Sequence, residues 1–199
     1  KSLFMRLLAD MCNSIEEPYY EFGRPHTPLG DMAFCCAFKV YSLYSLRRFT
    51  TDMEIAKERG FVDKVPCFTS IGKFFQNRCM SKVIIDIITR SSLPLKSVET
   101  SFAIDSSGIS TTRFSPYFDF KCGKTVKYRN WIKLNLVCGA KTKIVTAVKP
   151  SREYDNDILF FKSLTKKTAE NFDIKEMSAD KAYLSKDNLN LIDELGGKA

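Results

Sequence analysis

The spacing of apolar residues changes near residue 98 of this 199-residue chain. Before that point, apolar side chains recur every three or four residues, which is the period of a helix with one buried face. After it, apolar and polar residues alternate over short runs, as they do in half-buried strands. The pattern therefore predicts a helical region over residues 1–98 and an α/β region over residues 99–199.

Helices in the first region are delimited by capping residues and by glycine. Leu29–Phe49 has helical spacing of its apolar residues and is predicted to form one helix. Thr50–Asp52 then supplies the N-cap of a short helix that ends at Gly60. A third helix is predicted over residues 71–90, capped by the threonine or serine just before it.

The second region is predicted to contain elements in the order strand, strand, strand, helix, strand, helix. Strands are predicted over Thr100–Asp105, Asn130–Cys138, Lys143–Val148 and Ile174–Ala179, with Pro150 ending the third. Helices are predicted over Asp157–Ala169, with Leu159, Phe160 and Leu164 facing inward, and from a Ser185 cap to Leu195. This order of elements predicts a mixed α/β sheet.

Positive charge is concentrated in one segment of the chain. The net charge is +8, and residues 111–152 hold ten Lys or Arg against one acid, a local net of +9. A dense basic segment with interleaved aromatic residues favours contact with nucleic acid, and a solvated basic face is the alternative. The residues expected to contact phosphate are Arg113, Lys121, Lys124, Lys127, Arg129 and Lys133.

Cysteine and histidine usage argues against several kinds of site. The seven cysteines are irregularly spaced and include no C-x-x-C pair, which argues against a disulfide framework or a zinc site. Reduced thiols in the cytoplasm are the expected state. His26 is the only histidine and lies in a turn-like segment, so Ser-His or Cys-His chemistry has a single, poorly placed candidate base.

Two aspartates follow apolar strands of the second region. Asp105 ends one strand and Asp180 follows another. If these strands are parallel neighbours, they lie about 5 Å apart and bring the two carboxylates to one place. Paired carboxylates suit hard divalent cations, so Mg²⁺ or Mn²⁺ is the expected guest. The alternative is that both aspartates only shape turns or cap helices.

Several short runs resemble, in order, the motifs of DDE-type insertion-sequence transposases. Ala103–Gly108 resembles their first-acid motif, and Ser178–Ser185 resembles their second-acid motif. Trp131–Leu136 resembles the second-strand motif, which usually carries His where this chain has Asn135. Tyr154–Asp157 resembles the acidic turn that precedes a helix. Gly23–Pro25 with Leu29–Met32, and Val65–Ile71, resemble the helical N-terminal region of the same proteins.

The resemblance implies an incomplete ribonuclease-H-like mixed sheet preceded by a helical, DNA-binding region. Asp105 would be the first and Asp180 the second metal-binding acid, holding Mg²⁺ or Mn²⁺ for DNA strand cleavage and transfer. The third acid, a Glu on a later helix, has no counterpart, since Glu194 lies too close to the second motif. The chain is therefore expected to be truncated at its C-terminus and inactive as it stands. Its expected partners are double-stranded DNA and further copies of itself, at the nucleoid in a prokaryotic cytoplasm.

Other polar residues are candidates for supporting roles. Asp157 or Asp155 is a candidate for bracing the metal site from behind the two acids, and helix capping is the favoured interpretation for these residues. Lys181 and Tyr183 lie beside the second acid and are candidates for DNA contact. The helix from residue 71 is a candidate for reading a DNA groove, and helix packing is the alternative. Its candidate readers are Lys73, Gln76, Asn77 and Arg78.

Three functions remain open at this point. The motif order favours a catalytic transposase fragment. The missing third acid favours a non-catalytic DNA-binding remnant of a transposase. A ribonuclease-H-like nuclease acting on RNA–DNA hybrids is the third, and the long basic segment and helical first region make it the weakest.

Overall fold

The computed structural model describes residues 1–19, 21–23, 26–110, 121, 123 and 131–199. The chain divides into two compact units, Lys1–Ser91 and Ser92–Ala199. Within the described ranges, no helix is both long and apolar enough to cross a lipid bilayer.

The first unit is built from helices. Its described helices are α1 (Ser2–Cys12), α2 (Leu29–Ser42), α3 (Leu46–Glu58), α4 (Phe68–Phe75) and α5 (Arg78–Ser92). They bury an aromatic core in which the Phe38 and Phe49 rings meet edge to face, with centroids 5.5 Å apart. Met5 and Leu8 of α1 are buried in the same core.

The prediction of one helix over Leu29–Phe49 is wrong. The helix stops at Ser42, because Leu43 adopts a left-handed backbone with φ of 60°. Ser45 then starts α3, and its hydroxyl accepts a hydrogen bond from the Arg48 amide. The predicted cap Thr50–Asp52 therefore lies inside α3. Gly60 follows that helix with a φ of 73°, so its predicted role at the helix end is confirmed.

The predicted helix over residues 71–90 is also wrong, because it is two helices. Helix α4 ends at Phe75 and α5 begins at Arg78. Asn77 lies in the break, where its side-chain oxygen accepts a hydrogen bond from the Cys79 amide at 3.0 Å. Asparagine competes in this way with helical backbone bonds, which explains the break.

The second unit contains a four-stranded mixed sheet. Its strands are β1 (Ser101–Ser110), β2 (Trp131–Gly139), β3 (Val145–Arg152) and β4 (Glu176–Ala179), in the order β3-β2-β1-β4. The β1–β2 and β2–β3 pairs are antiparallel, whereas β1 and β4 are parallel. The expected fold class, a ribonuclease-H-like mixed α/β sheet preceded by helices, is confirmed.

Two strand ends differ from the prediction. Pro150 does not end β3 but pairs with Leu134 inside it. Proline is tolerated there because β3 is an edge strand, where the proline nitrogen can face outward. Strand β1 does not end at Asp105 but continues to Ser110, because β2 pairs with it along its whole length.

The second unit also contains two α-helices in the described residues. Helix α6 (Ile158–Ala169) lies between β3 and β4 in the sequence, and α7 (Lys186–Glu194) follows β4. Helix α6 lies against β2 and β3. Its buried face carries Phe161 and Leu164, whereas Leu159, which was predicted to face inward, is 70% exposed. The predicted cap of α7 is confirmed, because the Ser185 hydroxyl accepts a hydrogen bond from the Asn188 amide.

A buried carboxylate closes the turn between β2 and β3. Glu99 is fully buried just before β1. One of its carboxylate oxygens accepts hydrogen bonds from the amides of Lys141 and Thr142, at 3.2 and 2.8 Å, and from the Thr142 hydroxyl at 2.8 Å. Burial alone would raise the pKa of Glu99, but the bonds from Thr142 and its neighbours outweigh burial and lower that pKa. A side chain at Gly139 would collide with Glu99.

Candidate functional site

Asp105 and Asp180 lie next to each other at the point where β4 ends. The last parallel pair joins Ile104 to Ala179, and the two aspartates follow immediately. Neighbouring strands are about 5 Å apart, so the two Cα atoms start from close positions. Side chains alternate across a strand, and because Ile104 is buried, Asp105 projects on the opposite, exposed face. Asp180 holds the matching position after β4 and is also exposed.

In the described part of the chain, each carboxylate has a hydrogen-bond partner only in the residue that follows it. The Asp180 side chain caps the short 3-10 helix Lys181–Tyr183 and accepts a hydrogen bond from the Lys181 amide at 2.6 Å. The Asp105 side chain accepts one from the Ser106 amide at 2.7 Å. None of the ion pairs found among the described residues involves either aspartate. Both negative charges are therefore open to an external cation.

The pair fits a hard divalent cation in chemistry but supplies few ligands. Carboxylate oxygens on an exposed face are suitable donors for Mg²⁺ or Mn²⁺. In the described part of the chain, no cluster of three or more His, Cys, Asp or Glu side chains is close enough to hold a metal. Two aspartates with water could thus bind one cation weakly.

Asp157 pairs with a lysine instead of capping a helix. It stands at the N-cap position of α6, but its side chain makes no cap hydrogen bond. One of its carboxylate oxygens lies 2.6 Å from the Lys133 ammonium, and both side chains are about one-fifth exposed, at 19% and 22%. Lys133 also donates to the Asp155 carbonyl at 3.2 Å. The ammonium that was expected to contact phosphate is therefore engaged within the protein.

A layer of buried polar groups lies on the opposite face of β1 from Asp105. Asn135 of β2 pairs with Ser106 and is fully buried. Its amide nitrogen donates to the Lys149 carbonyl at 3.3 Å and to the Ser151 hydroxyl at 2.9 Å. Its amide oxygen has no hydrogen-bond partner among the described groups. This layer was not predicted. The sequence did carry a signal for it, because the polar Asn135 alternates in step with the buried Val137 along β2.

Tyr183 belongs to the same buried region. It is only 2% exposed, so the expected DNA contact by this side chain is wrong. Burial raises the pKa of its phenol to about 12, and the negative charges of Asp157, Asp105 and Asp180 add to that effect. The Ser106 side chain acts in the opposite direction. However, no described group stands in hydrogen-bond geometry with the phenol oxygen. The phenol is therefore buried and stays protonated at neutral pH.

The basic candidates are spread over several places. Lys121, Lys181, Lys73 and Arg78 are exposed. Lys73 lies in the last turn of α4 and Arg78 begins α5, so the expected groove readers do not share one helix. Gln76 and Asn77 lie in the break between those helices. The remaining candidates, Arg113, Lys124, Lys127 and Arg129, lie outside the described residues.

Comparison with known proteins gives one match. The model of a family described as the transposase DDE domain matches residues 96–199, which is slightly more than half of the chain. No curated protein and no solved structure gives a significant match. The matched segment contains the whole four-stranded sheet and both aspartates that the parallel strands bring together. The chain therefore belongs to the transposase DDE domain family.

Proposed function

We propose that Asp105 and Asp180 form the metal-binding part of a site for DNA strand cleavage and transfer during transposition. The observation that carries this proposal is the parallel pairing of Ile104 with Ala179, which puts the two aspartates side by side. The pair would hold Mg²⁺ or Mn²⁺, whose positive charge offsets the repulsion between the carboxylates. Such a cation supplies activation of a water or hydroxyl and stabilisation of charge at a phosphorus centre.

The chain's own residues orient the acids. Backbone amides of Ser106 and Lys181 each fix one carboxylate oxygen, which leaves the other oxygen free to turn toward a cation. The Lys133–Asp157 pair braces the start of α6 on the other side of the sheet. Among the described residues, no group of three or more His, Cys, Asp or Glu side chains could hold a metal, so weak binding of one cation is expected, and strand transfer by this chain alone is not.

Replacing either aspartate with asparagine is expected to weaken Mn²⁺ binding by at least about tenfold. The amide keeps the shape but removes the negative charge that the cation needs. Titration calorimetry with Mn²⁺ on Asp105→Asn, Asp180→Asn and the unchanged chain would measure this. Asp193→Asn is the matched control, since Asp193 is an exposed acid on α7. If both site variants bind Mn²⁺ as the unchanged chain does, the residue assignment fails.

Double-stranded DNA is the proposed partner, and the cytoplasm is the proposed location. Lys181 would contact a DNA phosphate beside the acid pair. Changing the exposed Lys181 to alanine is expected to weaken DNA binding about equally for all sequences. The slope of log affinity against log salt should fall by about one. Fluorescence anisotropy over a salt series measures both effects. Lys166→Ala, an exposed lysine in the last turn of α6, is the control. An unchanged slope would remove Lys181 from the DNA contact.

The second candidate is a non-catalytic DNA-binding remnant that occupies its own element ends. Among the described residues, no third side chain joins the acid pair in a group that could hold a metal, which favours this candidate. End DNA bound equally well with and without Mg²⁺, and never cleaved, would support this candidate. Preference for an RNA–DNA hybrid over duplex DNA would instead support a ribonuclease-H-like nuclease that acts on such hybrids. Assembly of several copies on DNA is also proposed, and light scattering of the complex would test it.

A further inference from the structure

The corner between α2 and α3, formed by Leu43–Ser45, exposes a leucine in a strained backbone conformation. Leu43 follows α2 with a left-handed φ of 60°, which bulky side chains rarely adopt. Its side chain is 85% exposed, so burial does not offset the strain. The adjoining Tyr44 is 51% exposed. Strained residues of this kind concentrate at functional sites, so the corner is a candidate for contact with another molecule.

The charge along the chain on both sides of this corner is entirely positive. Residues 32–51 contain three basic residues, Lys39, Arg47 and Arg48, and no acidic residue. Lys39 lies in the last turn of α2, and the two arginines lie in the first turn of α3. The Arg47 guanidinium lies over the Phe68 ring, 5.2 Å from its centroid, which holds this charge beside the corner. None of the ion pairs among the described residues involves these three cations, so they are open to an external anion.

We propose that the α2–α3 corner is a wedge that bends duplex DNA: Leu43 inserts between two base pairs, and Arg47 and Arg48 contact the adjoining phosphates. This inference rests on the proposed function, because DNA is the partner proposed there. An apolar side chain that unstacks one base step bends the duplex toward the protein and brings phosphates to nearby cations. A second copy of this chain fits the corner less well, because its own corner is equally positive. Reading of base edges would instead need polar side chains at the tip.

Leu43→Asn removes the apolar side chain and keeps the left-handed backbone, which asparagine tolerates. The unchanged chain is expected to bend duplex DNA by roughly 20° or more, and the variant should bind DNA without that bend. Energy transfer between dyes at the two ends of a short duplex measures the bend. Leu159→Asn is the matched control, since Leu159 is a 70% exposed leucine on α6. Circular dichroism during urea unfolding checks that the variants keep their helices, and Leu43→Gly is the second variant, because glycine adopts positive φ most readily.

A mismatched base step gives a second measurement of the wedge. Such a step is easier to unstack than a matched one, so an inserted side chain enters it at lower cost. The unchanged chain should bind a duplex with one central mismatch about tenfold more tightly than the matched duplex, since unstacking a matched step costs a few kcal/mol. Leu43→Asn should abolish this preference, whereas Leu159→Asn should keep it. Fluorescence anisotropy measures all of these affinities.

The outcomes separate this inference from the proposed function. If Lys181→Ala lowers the salt slope but Leu43→Asn changes neither the bend nor the mismatch preference, the wedge is wrong while DNA stands as the partner. If the unchanged chain binds no duplex DNA at low salt, the wedge and the proposed partner are both wrong. If Leu43→Asn leaves the bend intact and dissociates an assembly seen by light scattering, the corner is a contact between protein copies and the wedge is wrong. Mn²⁺ binding by Asp105 and Asp180 is measured without DNA and is independent of these results.

Discussion

Replacing Glu99 with alanine is expected to lower the free energy of unfolding of the Ser92–Ala199 unit by about 3 kcal/mol. The change removes one carboxylate oxygen that accepts three hydrogen bonds from Lys141 and Thr142. It leaves those donors without their acceptor at the turn between β2 and β3. Urea unfolding followed by the fluorescence of Trp131, which lies on β2, reports on this unit directly.

The pH dependence of this effect follows from the lowered pKa of Glu99. A carboxyl with a lower pKa in the folded state stabilises folding fully above its unfolded pKa, near pH 4.3. That contribution is lost as the pH falls from there through the folded pKa. The difference between the unchanged chain and Glu99→Ala should therefore shrink in acid. Glu194→Ala, on an exposed residue of α7, should show neither effect. A difference that stays constant down to acid pH would show that the ionised carboxylate is not the source of the stability.

Removing Asp157 is expected to cost about 2 kcal/mol of unfolding free energy. Truncation to alanine leaves the Lys133 ammonium, 22% exposed, with only the Asp155 carbonyl as a described partner. Removing one partner of a fully buried ion pair lowers the free energy of unfolding by more than about 2 kcal/mol. The loss is smaller here because both side chains are partly exposed. Urea unfolding of Asp157→Ala and Lys133→Met measures each single loss.

The double variant Lys133→Met with Asp157→Leu separates two causes of destabilisation. One is the unpaired charge that a single change leaves behind, and the other is the loss of the ion pair itself. Two apolar side chains of similar size leave no unpaired charge, so much of the stability should return. When Asp157→Leu is also measured alone, the sum of the Asp157→Leu and Lys133→Met losses should exceed the loss in the double variant. Strict additivity would mean that the 2.6 Å ion pair contributes no coupling.

The sequence predicted that Asp105 and Asp180 would lie close together, because the argument needed only two apolar strands and their parallel pairing. Asp105 and Asp180 each follow apolar residues that had to be strands, and parallel pairing then brought them together. The helical breaks were missed for a different reason. The left-handed Leu43 and the Asn77 cap are single-residue events, and apolar spacing continues across both of them.

The faces of β2 show a limit of reading hydrophobicity alone. Alternation along the strand puts Ile132, Leu134, Leu136 and Cys138 on one face. On the other face, Asn135 and Val137 are fully buried, although Asn135 is polar. Ile132, by contrast, is 46% exposed. The buried face of β2 is the one against which α6 packs. The sequence of β2 alone does not specify where that helix packs.

Glu99 and Tyr183 could not be placed from the sequence for a related reason. The hydrogen-bond partners of Glu99 lie more than forty positions away, in the β2–β3 turn. Tyr183 follows the second-acid aspartate and looked like a surface residue, but the 3-10 turn from Asp180 directs it into the core. A short polar motif therefore did not indicate whether the side chain of Tyr183 is buried or exposed.

Strand β3, with Pro150 inside it, has a consequence for how copies of this protein can meet. A neighbouring strand that approached this border would find no amide hydrogen at Pro150 and would face the positive side chains of Lys149 and Arg152. Proline and like charge at a sheet border are the features by which β proteins prevent fibre-like growth. Two copies are therefore discouraged from merging their sheets into one continuous ribbon. Copies held close together should therefore keep their sheets separate at the β3 border.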